Sequence, residues 1–272
     1  MPAYLNIACG KTFICDPAWE NIDYVSFDKA VKVSNILEKL DHSEDTYDAL
    51  YCSHFIEHIS PDAVEPFLNR CRRLMKERSI FRIVVPDAEF LLREYLKYKD
   101  EGNHLYSNFA FINFLDQCVR LKSGGMLQGC YDKIASHQSE ELREYALYLN
   151  GDDVLRAGDD QRAALVPEIL KTLLQPKRVW RKLEPFYIRI VCAFLPRAFR
   201  QQNVSFAQVG ERHLWMYDFE SLKAVLNKAG YSRVRRFSFN TSTRTDGLFR
   251  PLDEIDGKPR KGNHQLFVEA QV

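Results

Sequence analysis

Ser53-His54-Phe55-Ile56-Glu57-His58 places a carboxylate three residues after an imidazole. At helical spacing the two side chains share a face, so Glu57 can orient His54 as a proton acceptor near neutral pH. The bland alternative for His54 is capping or packing, and His58 is read as structural. The block Gly210-Glu211-Arg212-His213-Leu214-Trp215-Met216-Tyr217-Asp218 gathers His213 and Tyr217 beside Trp215 and Met216. It suits the wall of an active site, or a plug of packing. Asp87 follows an apolar run ending at Pro86, where it either orients a substrate or caps the next helix. Seven cysteines contain no C-x-x-C pair, which excludes a zinc ribbon and points to reduced, buried thiols. No metal is expected.

These residues must be positioned by regular elements. Tyr4 to Ala8 is a short apolar run closed by Cys9-Gly10, a strand and its turn. Asn21 to Val25, Val31 to Val33 and Tyr47 to Cys52 are further strand candidates. Ser60-Pro61 opens a helix whose apolar positions Val64, Phe67, Leu68, Cys71 and Leu74 keep helical spacing. Ile80 to Val85 is the fifth strand. Strands separated by crossovers predict a parallel sheet with helices on both faces. Residues 91–210 then read as helical, with helices over Glu89–Tyr98, Tyr106–Leu121, Glu140–Leu149 and Gln161–Leu174 and breaks at Gly124-Gly125 and Gly151. A helix opened by Asp218 and closed by Gly230, and strands over Val234–Phe239 and Leu266–Ala270, complete the chain. The final strand pair is open to an antiparallel arrangement.

The run Leu5-Asn6-Ile7-Ala8-Cys9-Gly10-Lys11, the segment Glu20-Asn21-Ile22-Asp23, and Tyr47 through Ile59 with its Ser53-His54-Phe55-Ile56-Glu57-His58 core resemble class I S-adenosylmethionine-dependent methyltransferases. Arg82 to Asp87 and Gly210 to Tyr231 continue the match. The subgroup resembled is the type 11-like one, many of whose members serve surface-polysaccharide or glycolipid pathways. The resemblance implies an α/β, Rossmann-like, seven-stranded mostly parallel sheet with a large helical insertion between strands five and six. It implies a core of residues 1–90 and 211–272, and an insertion over 91–210 that lids the sheet edge and forms the acceptor pocket. The implied cofactor is S-adenosylmethionine, leaving as S-adenosylhomocysteine. Ala8 and Gly10 would form the cofactor turn, Asp23 would take the ribose hydroxyls, Asn35 would meet the adenine, and Ser53 and His54 would face the methyl-bearing end. His54, Glu57 and His213 would carry proton removal, and Asp87 and Tyr217 would contact the substrate. Asp23 as a turn residue and Asn35 as a helix cap are the alternatives. The chain departs from the family pattern at Ala8, where glycine is usual, and at Lys76-Glu77-Arg78-Ser79, where Lys-Pro-Gly-Gly is usual. It also has no helix before the first strand.

The implied reaction is O-methylation of a sugar, glycolipid or related small acceptor. The 272 residues are 46% hydrophobic and 28% charged with a net charge of +1, so no global field selects nucleic acid. A nucleic-acid methyltransferase therefore ranks below a non-catalytic relative that binds a glycan or a partner. The apolar stretch Tyr187 to Leu195 is short and carries Arg189, so no membrane span is expected; neither is a secretory signal, and a cytoplasmic enzyme is the expectation. Over residues 177–200, Lys177, Arg178, Arg181, Lys182, Arg189, Arg197 and Arg200 alternate with aromatic and aliphatic residues. The stretch suits peripheral membrane contact, or an ordinary helix with a solvated basic face.

Overall fold

The computed structural model describes residues 2–26, 28–38, 42–136, 139–151, 186–207 and 210–272. The helix expected over Gln161–Leu174, and Lys177, Arg178, Arg181 and Lys182, lie outside the described residues. Tyr4–Ile7 (β1) is buried at all four positions, as a central parallel strand must be when both sheet faces are covered. It pairs in parallel with Trp19–Asp23 (β2) and with Tyr47–Ser53 (β4). Val31–Val33 (β3) lies outside β2, and Met75–Pro86 (β5) lies beyond β4, both parallel to their neighbours. Four later strands follow: Ser232–Phe237 (β6), the short antiparallel pair Glu254–Ile255 (β7) and Lys258–Pro259 (β8), and Gln265–Gln271 (β9); β6 and β9 complete the main sheet in the order β3-β2-β1-β4-β5-β9-β6. The last strand, β9, is antiparallel to both β5 and β6. The chain is thus mixed α/β with a seven-stranded, mostly parallel sheet. From β1 it runs outward through β2 and β3, then returns to the other side of β1 as β4. Such a reversal leaves a crevice at the carboxyl ends of β1 and β4, where open α/β sheets bind ligands.

Helices do not cover both faces as expected. The links from β1 to β2 and from β2 to β3 contain no helix among their described residues, because they are too short for a packed crossover. One face is covered by Pro61–Leu74 (α1) and Phe219–Lys228, with Phe67, Leu68, Cys71, Leu222 and Leu226 packed on Leu5, Ile7, Leu50 and Ile83. Among the described residues the other face is covered by loops and the one-turn helix Arg250–Asp253, with Phe249 and Leu252 on Tyr4, Ala49, Tyr51 and Phe267. The fifth strand also starts earlier than expected. With neither proline nor glycine to end it, the chain passes from α1 directly into β5, and Arg78 takes the left-handed turn (φ 63°) a glycine would supply.

After β5 come Ala88–Asp100 (α2), His104–Val119 (α3), Gly125–Ala135 (α4) and Glu140–Asn150 (α5). They bury their own core of Leu91, Phe109, Leu127, Ile134, Leu142 and Leu149. The Gly124-Gly125 break separates α3 from α4, a helix the sequence reading did not single out. The buried Asp116 carboxylate accepts the Met126 N–H at 2.6 Å and pairs with Arg120 at 2.7 Å, which satisfies that helix start. Residues 186–193 are helical and are followed by Arg197–Asn203 (α6), with Phe186, Tyr187, Ile190 and Phe194 exposed. Phe219–Lys228 (α7) opens with the expected Asp218, in a reciprocal cap with Ser221. No helix among the described residues is long and apolar enough to cross a membrane.

Arg82 in β5 is the largest fully buried side chain. Its Nε donates to Asp253 at 2.6 Å and its Nη1 to Glu269 at 2.7 Å, while Thr241 and Ser238 carbonyls accept two more N–H groups. Tyr51 Oη donates to the other Asp253 oxygen at 2.7 Å. A buried guanidinium is tolerable only when its donors are matched in this way. Arg82→Met strands two carboxylates and should lower stability by about 3–5 kcal/mol. Adding Asp253→Asn and Glu269→Gln should return at least half of the loss in urea denaturation. Full stability of the single variant would refute this account of the loop-covered face.

Candidate active site

The turn after β1 is built from Ala8 and Gly10, both at φ 55°. Glycine pays nothing for that conformation, and nothing lies within 4 Å of where a Gly10 Cβ would stand. Ala8 pays a steric cost, and its methyl packs against the main core. The usual glycine is thus replaced without a side chain over Gly10. Cys9 N–H donates to the Ile22 carbonyl at 3.2 Å, which folds the turn back over β2.

Asp23 ends β2. One carboxylate oxygen accepts the Gly10 N–H at 2.8 Å and the other accepts the Val25 N–H at 3.0 Å. Each oxygen keeps a lone pair, and the residue is half-buried at the crevice. The turn role and the ligand role therefore coexist. Asn35 is exposed, and its carbonyl accepts the Glu38 N–H in a single turn; the helix expected after it does not form over residues 36–38. Tyr24 just after β2, Val33 at the end of β3 and Leu37 beyond it are exposed apolar residues that the sequence reading did not single out. Their signal is local: apolar side chains directly after or within strands that end at the same sheet edge.

At the end of β4, Ser53 is half-buried and His54 takes φ 52°. The His54 N–H donates to the Val84 carbonyl at 2.8 Å, and its Nδ1 lies 3.3 Å from Glu57 Oε1. Non-glycine residues in the left-handed region are sparse and costly. Ala8 and His54 occupy it on the two strands that flank the chain reversal. Glu57 has no exposed surface. Its main-chain carbonyl accepts the Leu214 N–H at 2.7 Å and the Trp215 N–H at 3.2 Å, so the segment from Gly210 is clipped onto the His54–His58 turn. His213 then stacks edge-on against His58, with ring centroids 4.8 Å apart.

His264 was not anticipated. It precedes β9, its Nδ1 faces the Leu149 carbonyl at 2.6 Å, and its ring is 6.3 Å from that of His54. Gly262 allows this approach, since a Cβ there would stand 2.3 Å from the Leu149 carbonyl oxygen. Burial, the Lys261 ammonium and the neighbouring imidazoles push His54 well below the usual histidine range. Burial lowers His213 to about 3 despite the Glu57 carboxylate nearby. Tyr217 is pushed up to about 12, first by burial and then by Glu57.

Of the expected site residues, the structure brings His54, Glu57 and His213 together, and Tyr217 joins them. Asp87 behaves as its alternative reading had it. It caps α2 by accepting the Phe90 N–H at 3.2 Å, and it is paired with Arg236 and fully buried. Burial raises its carboxyl.

No family model matches the chain, and no curated protein matches it. Solved structures do resemble it. A SAM-dependent methyltransferase from Archaeoglobus fulgidus aligns over 100% of this chain and 86% of its own, with 13% identity and a TM-score of 0.40. A SAM-dependent methyltransferase from Thermotoga maritima, described as a possible histamine N-methyltransferase, aligns over 100% and 82%, with 11% identity and a TM-score of 0.39. A SAM-dependent methyltransferase from Aquifex aeolicus covers 37% of this chain and 71% of its own, with 16% identity and a TM-score of 0.27.

Proposed function

We propose that this chain is an S-adenosylmethionine-dependent methyltransferase acting on an oxygen of a sugar, glycolipid or related small acceptor. The observation that carries the reading is the Asp23 carboxylate, held across the β1 turn by the Gly10 N–H at 2.8 Å beside the chain reversal, with lone pairs to spare for a pair of hydroxyls. The space above Gly10 fits a cofactor backbone passing close to the main chain. S-adenosylmethionine supplies an already activated methyl on a sulfonium. In this reading Asp23 binds the ribose hydroxyls, Asn35 and the apolar Tyr24, Val33 and Leu37 surround the adenine, and Ser53 lines the turn toward the methyl.

His54 takes the proton of the acceptor hydroxyl, and the Glu57 carboxylate, with Oε1 3.3 Å from Nδ1, favours the imidazolium that forms. His213 and Tyr217 wall the acceptor side. Residues 91–210 act as the acceptor lid, a role supported among the described residues by the contact of Leu149 with His264 and of the Gln117 carbonyl with the His213 N–H at 2.9 Å. Much of the rate then comes from holding donor and acceptor in line. The sugar or glycolipid class rests on the resemblance of the strand-one and strand-four motifs. Peripheral membrane contact through residues 177–200 would suit a lipid-linked acceptor.

Asp23→Ala should weaken S-adenosylhomocysteine binding at least about tenfold in calorimetry, the loss of hydrogen bonds to a charged group. Unchanged affinity would remove the ribose assignment. His54→Gln should lower kcat about 100-fold or more while S-adenosylhomocysteine affinity holds within about threefold. Wild-type turnover at saturating acceptor would show that another group takes the proton.

A further inference from the structure

Glu57, His58 and His213 each present a ligand atom within 4.8 Å of the other two. The carboxylate among them is wholly buried, and neither of its oxygens accepts a hydrogen bond among the described residues. Native proteins rarely leave a buried carboxylate in that condition, because the desolvation cost is several kcal/mol without a compensating partner. The nitrogens are prepared in the way metal-binding histidines are. His58 Nδ1 lies 2.9 Å from the Arg212 carbonyl. A carbonyl only accepts, so Nδ1 carries the proton and Nε2 keeps its lone pair, 3.9 Å from Glu57 Oε1. His213 Nδ1 rests against Met216 Sδ at 3.3 Å, which leaves its Nε2 for a ligand. The main-chain clip from Leu214 and Trp215 to Glu57 fixes both segments around the gap.

We infer that Glu57, His58 and His213 form a binding site for one divalent transition-metal ion, with His54 at 3.3 Å from Glu57 as its neighbour on the crevice side. Two imidazoles and one carboxylate are a borderline donor set. They suit Zn²⁺, Co²⁺, Ni²⁺, Fe²⁺ or Mn²⁺ and disfavour Mg²⁺ and Ca²⁺, which take oxygen ligands. Three protein ligands leave a position open beside the crevice. The site rests on these residues alone and stands whether or not the chain transfers a methyl group.

The test uses the full chain, stripped with chelator and titrated with Co²⁺ under reducing conditions. One equivalent should bind with d–d bands in the visible region and without the near-ultraviolet thiolate band that the seven cysteines would give. Zn²⁺ should displace it. Glu57→Gln and the less buried His58→Gln should each weaken Co²⁺ binding at least about 30-fold, beyond the mid-range of a supporting-residue loss, and His42→Gln should leave it unchanged. Circular dichroism and S-adenosylhomocysteine affinity on the same samples separate metal loss from unfolding and from failure of the methyltransferase reading. Absence of a bound equivalent in the wild-type chain would overturn the site. So would a thiolate spectrum, or unchanged affinity in a folded His58→Gln.

Discussion

A fully buried carboxylate whose oxygens accept no hydrogen bond among the described residues dictates much of what surrounds it. Glu57 sits on the turn after β4, and its burial requires other chain segments to close over it. The segment from Gly210 does so through two N–H groups on the Glu57 carbonyl. The lead-in to β9 brings His264 to the same place, and α5 presses its last carbonyls against that lead-in. Four of the seven histidines thereby collect around one acidic side chain. Sheet, helical segment and C-terminal strand are tied together at the edge where the crevice opens.

The opposite face of the sheet solves a different problem. Among the described residues it is closed by loops and the single helical turn Arg250–Asp253, and loops carry main-chain groups that need partners. Arg82 supplies them, reaching the Ser238 and Thr241 carbonyls while Asp253 and Glu269 balance its charge. The two buried charge clusters thus differ in kind. Around Arg82 nearly every donor has an acceptor, which suits a fixed scaffold. Around Glu57 acceptors outnumber donors, which suits a place that receives something from outside.

Much of the sheet was legible because its strands are short apolar runs ended by turn residues, and Tyr4–Ile7, Tyr47–Ser53 and Gln265–Gln271 lie close to where those runs place them. Asp218 and Gly230 fixed α7 through local cap chemistry. Less legible was anything decided by contact between distant segments. The start of α4 depends on Asp116 reaching across a turn, and Asp87, whose cap of α2 is local, is paired by Arg236, 149 residues along the chain. His54 and Glu57 were readable from their spacing. His58 reads as structural from its sequence alone because the carbonyl that orients it belongs to Arg212, 154 residues away, and His264 carries no local signal. The loop covering of the second face was hidden for the same reason, since only the fold reveals that Arg82 needs it.

In the proposed function, the crevice between the ends of β1 and β4 holds the methyl donor. Hydrogen–deuterium exchange with and without saturating S-adenosylhomocysteine locates the ligand directly. Protection should concentrate in peptides covering residues 8–12, 23–26 and 53–58, with the loop over 238–250 unchanged. Protection confined to that loop, or none at a concentration that saturates binding, would contradict the account.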